Sequence, residues 1–205
     1  GEDAEDVVLA HDEVVLTVDL HVGPAVLGEE DDVALLHRER ADFAVVEAAT
    51  GATRMDILTD PYRAVTADQS ATLDGYVERR LRREPVSRIL GRKGFWKIML
   101  NVTPDVLTPR PDTETVVEYS LREFPEAAAW RILDLGVGSG AILLALLAER
   151  PAAKGLGIDV SEEALAVARD NAAALGLASR VALLRGDWTA GLDSEQFDLV
   201  VSNPP

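Results

Sequence analysis

The 205-residue chain contains no cysteine. This excludes disulfides, thiolate metal sites and cysteine nucleophiles, and it fits a reducing compartment. Histidine is scarce as well. His11, His21 and His37 lack the close helical or strand spacing of a ligand pair, so they read as ordinary structural or surface residues and no metal site is expected. No apolar run approaches the roughly 20 residues that a membrane-spanning helix needs. The acidic opening GEDAED has the wrong polarity for a signal peptide. The expected address is the cytoplasm, with no membrane partner. Basic side chains are outnumbered 20 to 36, a formal net charge of −16, which argues against broad affinity for nucleic acid. The deficit is uneven: residues 1–60 hold 16 acidic and 3 basic side chains, whereas residues 61–110 hold 5 acidic and 10 basic. The middle segment can therefore meet an acidic partner.

Hydrophobic residues make up 47% of the chain and charged residues 27%, the balance of a soluble globular protein with length for one medium domain or a domain plus a smaller one. Residues 1–33 are valine-rich and partly alternating, and read as strand up to Gly23-Pro24. Their acidic runs and the lack of a starting methionine point to a fragment or an atypical leader. From about Asp31 to Glu84 the pattern turns helical. ALLHRERADFAVVEAATG stops at Gly51, MDILTDPYRAV holds a short helix or turn broken by Pro61, and Thr66 or Asp68 caps the next helix. Leu73, Tyr76, Val77 and Leu81 share one face of that helix. Arg79, Arg80, Arg82 and Arg83 occupy the other, either as a solvated face or to dock a partner. Glu84-Pro85 ends it.

ILGRKGFWKIMLN then predicts a β-hairpin, with Gly94 near the turn and Phe95, Trp96, Ile98 and Leu100 in strand. Pro104, Pro109 and Pro111 stiffen the following link, and Asp112 or Thr113 caps a helix through TETVVEYSLREF. From Arg131 the order is regular: strands at 131–135, 155–160, 181–186 and 197–202, with helices at 140–150 and 162–175, the second capped by Ser161. Such alternation implies a parallel, doubly wound sheet. A sheet of this kind normally continues past four strands, so the chain is expected to be truncated at its C-terminus.

The chemistry centres on RILDLGVGSG. A buried strand breaks into Gly136, Gly138 and Gly140 and opens an apolar helix, a geometry that brings bare backbone N–H groups close to a nucleotide-like ligand. Gly136, Gly138 and Ala141 satisfy the looser dinucleotide fingerprint and Asp159 follows at the distance of a ribose-binding acid, so a nicotinamide-dependent oxidoreductase is a rival reading. Three acids at strand ends point elsewhere. Asp134 would crowd a pyrophosphate but suits a cationic, amino-acid-bearing ligand. Asp187 can accept from an adenine amine while Trp188 packs on the ring. Three carboxylates suit S-adenosylmethionine, which carries a sulfonium, an ammonium and a ribose but no phosphate. The last strand runs into Asn203-Pro204-Pro205. Neither proline has an N–H, so backbone carbonyls stay free as acceptors, and the Asn203 side chain adds another. Two such oxygens can hold a planar NH₂ group by both hydrogens.

DLGVGSGAI, GIDVSEEALAVARDNA, GDW and the terminal NPP resemble the class I S-adenosylmethionine-dependent methyltransferases, specifically the release-factor glutamine N5-methyltransferases of the HemK/PrmC type. EPVSRILGRKGFW and LTPRPDTETVVE are similar to that family's hairpin linker and its PRPDTE stretch. The resemblance covers about residues 34–205. It implies an α/β, Rossmann-like domain with an incomplete parallel sheet at 111–205, preceded by a helical substrate-docking domain at 34–88 and a hairpin linker at 89–110, with 1–33 an unassigned acidic leader. It implies that Gly136, Val137, Gly138, Ser139 and Gly140 pass beneath the methionine part of the cofactor. Asp159 would bind the ribose, Asp187 and Trp188 would hold the adenine, and Asn203 with the Pro204 carbonyl would grip the substrate amide. The implied substrate is the glutamine of the Gly-Gly-Gln loop of a release factor, methylated by a monomer that binds no nucleic acid directly. The family motif ends NPPY, and here the chain stops before the tyrosine. An adenine-N6 DNA methyltransferase would use the same Asn-Pro-Pro slot, and a non-catalytic cofactor-binding fragment is the remaining alternative.

Overall fold

The computed structural model describes residues 14–15, 43–60, 63–123, 129–192 and 195–203. The chain divides into two compact units, Gly1–Leu90 and Gly91–Pro205. His11, His21 and His37, and most of the expected leader strand, lie outside the described residues.

In the first unit, Val14–Val15 (β1) pairs antiparallel with Ala64–Val65 (β2). A helix over residues 43–50 (α1) ends at Gly51, whose N–H donates to the Glu47 carbonyl. Arg54–Thr59 (α2) and Ala67–Leu81 (α3) each start with a reciprocal cap, Thr53 with Asp56 and Thr66 with Gln69. Two otherwise unpaired N–H groups are thereby satisfied at each start. Val86–Leu90 (α4) follows Pro85. Of the apolar face expected on α3, Leu73 is buried, but Val77 and Leu81 are exposed. Arg79 does not belong to a solvated arginine face. Its guanidinium pairs with Glu84 and donates to the carbonyls of Arg88 and Ile89, both at 3.0 Å, so it serves the end of α4, where carbonyls lack helical partners.

The second unit opens with a hairpin of Arg92–Phe95 (β3) and Ile98–Asn101 (β4). Phe95 pairs with Ile98 and Gly94 with Met99, so the turn is Trp96-Lys97 and not the expected Gly94. A two-residue hairpin loop favours positive φ at its first central position, and Trp96 adopts φ 53 there. Long-range bonds hold it: its N–H donates to Glu114 Oε1 at 2.9 Å, and its indole N–H donates to Glu149 Oε1 at 2.8 Å. Lys97 Nζ sits 2.7 Å from the same Glu149 oxygen, and these two donors, Lys97 foremost, hold the Glu149 carboxyl below its usual range. Phe95 and Leu100 are almost wholly buried, in one core with Val117 and the leucines of the central helix. The next helix, Glu114–Glu123 (α5), begins through a 3-10 turn at Pro111–Thr113 without the side-chain cap expected of Asp112 or Thr113.

Arg131–Leu135 (β5), Lys154–Asp159 (β6), Val181–Arg185 (β7) and Leu199–Ser202 (β8) form a parallel sheet in the order β7-β6-β5-β8. Ala141–Glu149 (α6) follows β5, and every residue from Ala141 to Leu147 is buried. A helix apolar all round must be enclosed, and each of its fully buried leucines contributes roughly 1.5–3 kcal/mol. Glu162–Ala174 (α7) follows β6, capped by the Ser161 hydroxyl, which accepts the Ala164 N–H at 3.0 Å. The chain runs outward from β5 to β7, then returns to place β8 on the other side of β5. The crevice at that reversal, beyond the strands' carboxyl ends, is where open α/β sheets bind ligands.

Candidate functional site

The turn after β5 is left-handed at all three glycines, with φ of 73, 53 and 84 at Gly136, Gly138 and Gly140. Four of its five N–H groups, those of Gly136, Val137, Gly138 and Gly140, are not bare, contrary to expectation. Those of Gly136 and Val137 donate to the Ile158 carbonyl at 2.9 and 3.0 Å, and that of Gly140 donates to the Val137 carbonyl at 2.8 Å. The Gly138 N–H donates to Asp159 Oδ2 at 2.9 Å. The end of β6 has taken the donors of Gly136, Val137 and Gly138, and a carboxylate lies against the turn that a pyrophosphate would use. This arrangement disfavours a dinucleotide.

Asp159 is itself positioned from two sides, because its other oxygen accepts the Ser161 N–H at 3.0 Å. Each oxygen keeps a further lone pair for a hydroxyl donor. Around it lies a hollow of about 300 Å³, lined among others by Gly136, Gly138, Asp159, Asp187, Trp188 and Asn203. Six sequence-predicted residues therefore meet in one cavity. Trp188 is 56% exposed there and adopts a left-handed φ of 51. Asp105, Val106 and Leu107 form a wall that no spacing in the sequence announces, and Val160, just past β6, and Ala164 of α7 add apolar surface.

Asp134, Val137, Ser139 and Gly140 shape the turn from behind and are not among the residues lining the hollow. Asp134 is 2% exposed and accepts the Leu143 N–H in the first turn of α6. Burial pushes its carboxyl up to about 7, and the nearby Asp159 charge adds to the rise. It is thus not at the open mouth of its strand, where the sequence reading put it. Val137 and Ser139 are buried, and the Ser139 carbonyl accepts from Asn171 Nδ2 at 2.9 Å. A Cβ on Gly140 would stand 2.8 Å from Leu144 Cδ1.

At the far side, the Ser202 hydroxyl donates to the Leu135 carbonyl at 2.8 Å and pins the end of β8. Asn203 Nδ2 donates to Thr113 Oγ1 at 3.0 Å. Pro204 and Pro205 lie outside the described residues. Among the described residues no group of three or more His, Asp or Glu side chains could hold a metal, and no helix is long and apolar enough to cross a membrane.

Residues 115–205 match the family model of the methyltransferase small domain, and residues 38–91 match that of the PrmC N-terminal domain. The chain is 68% identical over 161 residues to a release factor glutamine methyltransferase of Caulobacter vibrioides, covering 78% of this chain and 56% of that protein. Identity to the protein of the same name from Rhodospirillum rubrum is 54% over 143 residues, 70% of this chain and 43% of that one. For the one from Bradyrhizobium diazoefficiens it is 45% over 161 residues, 77% and 54% respectively. The chain spans about half the length of these relatives.

Proposed function

We propose that this chain, which belongs to the HemK/PrmC-type family of class I methyltransferases, transfers a methyl group from S-adenosylmethionine to the side-chain amide nitrogen of a glutamine in a peptide-chain release factor, leaving S-adenosylhomocysteine and releasing one amide proton to solvent. The observation that carries this reading is the bond from the Gly138 N–H to Asp159. It makes the mouth of the crevice a hydroxyl- and cation-accepting site, not an anion nest.

The residues present fit such a cofactor. Asp159 offers acceptors to ribose hydroxyls, Trp188 offers an open aromatic face to a base, and Asp187 beside it can accept an exocyclic amine. Gly136 and Gly138 leave room for the chain of the amino acid. When bound, S-adenosylmethionine supplies a methyl group already activated by its sulfonium. An amide nitrogen is a poor nucleophile because its lone pair is delocalised. Asn203 Oδ1, with the carbonyl of Pro204, accepts the two amide hydrogens, holds the nitrogen in line and increases its electron density. These are the roles we assign to Asn203 and Pro204, while Pro205, which has no N–H, leaves the neighbouring carbonyls free as acceptors. Asp134, Val137, Ser139 and Gly140 support the turn.

The helical segment 34–88 docks the release factor, the hairpin segment 89–110 joins it to the catalytic part at 111–205 while sharing that part's core and walling its hollow, and the protein acts as a cytoplasmic monomer without contacting nucleic acid. The net charge of −16 agrees with a protein substrate and disfavours an adenine-N6 DNA methyltransferase. Thermal-shift titration with S-adenosylhomocysteine and with NAD tests the cofactor: stabilisation by NAD alone overturns it. Mass spectrometry of a release factor incubated with the enzyme and S-adenosylmethionine tests the substrate, the expected product carrying one added methyl on the glutamine of its Gly-Gly-Gln loop.

A further inference from the structure

A carboxamide has two ends of nearly equal shape and opposite hydrogen-bonding character. For Asn203 the distinction is decisive. With Oδ1 toward the hollow it can accept from a substrate NH₂, whereas the flipped group would set NH₂ against NH₂. Asn203 is exposed, so packing alone does not choose between the two. Its Nδ2 instead donates to Thr113 Oγ1 at 3.0 Å, across 90 residues of sequence. Thr113 is well placed to act as a fixed post. Its N–H donates to the Arg110 carbonyl at 3.1 Å, and the adjacent Glu114 accepts the Trp96 N–H at 2.9 Å, which ties the 3-10 turn to the hairpin. Asn203 is fixed from its own side, because Ser202 pairs in register with Leu135 and also bonds its carbonyl. The bond between the two side chains joins parts that are already anchored, and being exposed it adds little to stability.

We infer that Thr113 is a positioning residue for Asn203: its hydroxyl, bonded to Nδ2, holds the carboxamide at the edge of the hollow and leaves Oδ1 to accept the substrate amide. The inference rests on the amide-methylation reading above. The test compares wild-type enzyme with Thr113→Val, which keeps the shape and removes the acceptor, and with Thr113→Ser, which restores it. Transfer to a release factor, S-adenosylhomocysteine affinity by calorimetry and the Asn203 side-chain NH₂ resonances by NMR are read on each. Thr113→Val lowers kcat by about tenfold or more while KM and cofactor Kd stay within about threefold, and it shifts the Asn203 NH₂ signals. Thr113→Ser recovers kcat to within about threefold of wild type. An unchanged kcat in Thr113→Val overturns the inference, as does a kcat loss that tracks lost cofactor affinity or a lowered Tm, or one that Thr113→Ser fails to restore. Wild-type enzyme that binds S-adenosylhomocysteine yet methylates no glutamine overturns the amide reading, and this inference with it. A silent Thr113→Val in an active enzyme removes only the role of Thr113.

Discussion

Asn171 hydrogen-bonds both backbone groups of Asn101: its Oδ1 accepts the Asn101 N–H at 2.7 Å, and its Nδ2 donates to the Asn101 carbonyl at 3.1 Å. The second Nδ2 hydrogen goes to the Ser139 carbonyl. One carboxamide, 1% exposed on α7, thus acts toward β4 as a neighbouring strand would, and it joins the hairpin to the glycine turn. Asn171→Ala leaves the buried Ser139 carbonyl and the part-buried Asn101 groups without that partner and is expected to cost about 1–3 kcal/mol. Asn171→Asp is expected to cost more, because a carboxylate cannot donate to either carbonyl and is a buried charge. Urea unfolding of both variants checks the order; an Asp variant as stable as wild type contradicts it.

Trp188 is the exposed tryptophan of the hollow, whereas Trp130 is 4% exposed and the indole of Trp96 is bonded to Glu149. Titration with S-adenosylhomocysteine is expected to change the intrinsic fluorescence, and Trp188→Phe is expected to remove most of that change. Stacking on an aromatic ring contributes about 1–3 kcal/mol, so Trp188→Ala should weaken binding by roughly tenfold or more. A full fluorescence response in Trp188→Phe would place the ligand elsewhere.

Local signals carried most of the β5–α6–β6–α7 run. An apolar strand, a glycine turn, an all-apolar helix and a Ser161 cap each declare themselves within a few residues. What escaped depends on distant partners. Glycine at a turn is a sound prior, yet the hairpin register follows the burial of Phe95, Ile98 and Leu100, and Trp96 holds its left-handed turn through Glu149, 53 residues away. At the site, six predicted residues share one hollow because strand ends converge by topology. Asp134 falls beneath the turn because its strand is enclosed and the start of α6 offers it an N–H. The wall at Asp105–Leu107 and the Thr113 contact come from the segment after the hairpin, which no spacing links to Asn203.

The two inner glycines should separate binding from stability. At Gly138 a Cβ meets nothing closer than the Gly136 carbonyl oxygen at 4.0 Å, so Gly138→Ala carries only the strain of φ 53, about 1–2 kcal/mol. It faces the hollow, however, and is expected to weaken cofactor binding measurably. Gly140→Ala adds a clash with the buried Leu144 to its φ of 84, for about 3 kcal/mol or more. Unfolding and calorimetry on both variants decide the matter. A Gly140→Ala protein more stable than Gly138→Ala would refute the packing argument.

The buried Asp134 makes stability depend on pH in a direction opposite to that of an ion-paired acid. Its carboxyl is raised from an ordinary value of 3.8 to about 7 by burial, against the opposing bond from the Leu143 N–H. Between those two values the folded chain holds a proton that the unfolded chain releases, so stability falls as pH rises through this window and levels off above it. Below the lower value both states are protonated and the penalty vanishes. A carboxamide in its place has no proton to lose and its oxygen can still accept from Leu143, so Asp134→Asn removes this slope. The stability of the variant over wild type is expected to be near zero at pH 4 and to grow to the order of 4 kcal/mol by pH 8. Unfolding of both proteins across that range reads it directly, and a difference that stays flat or shrinks toward pH 8 would mean that Asp134 is ionised at ordinary acidity in the fold.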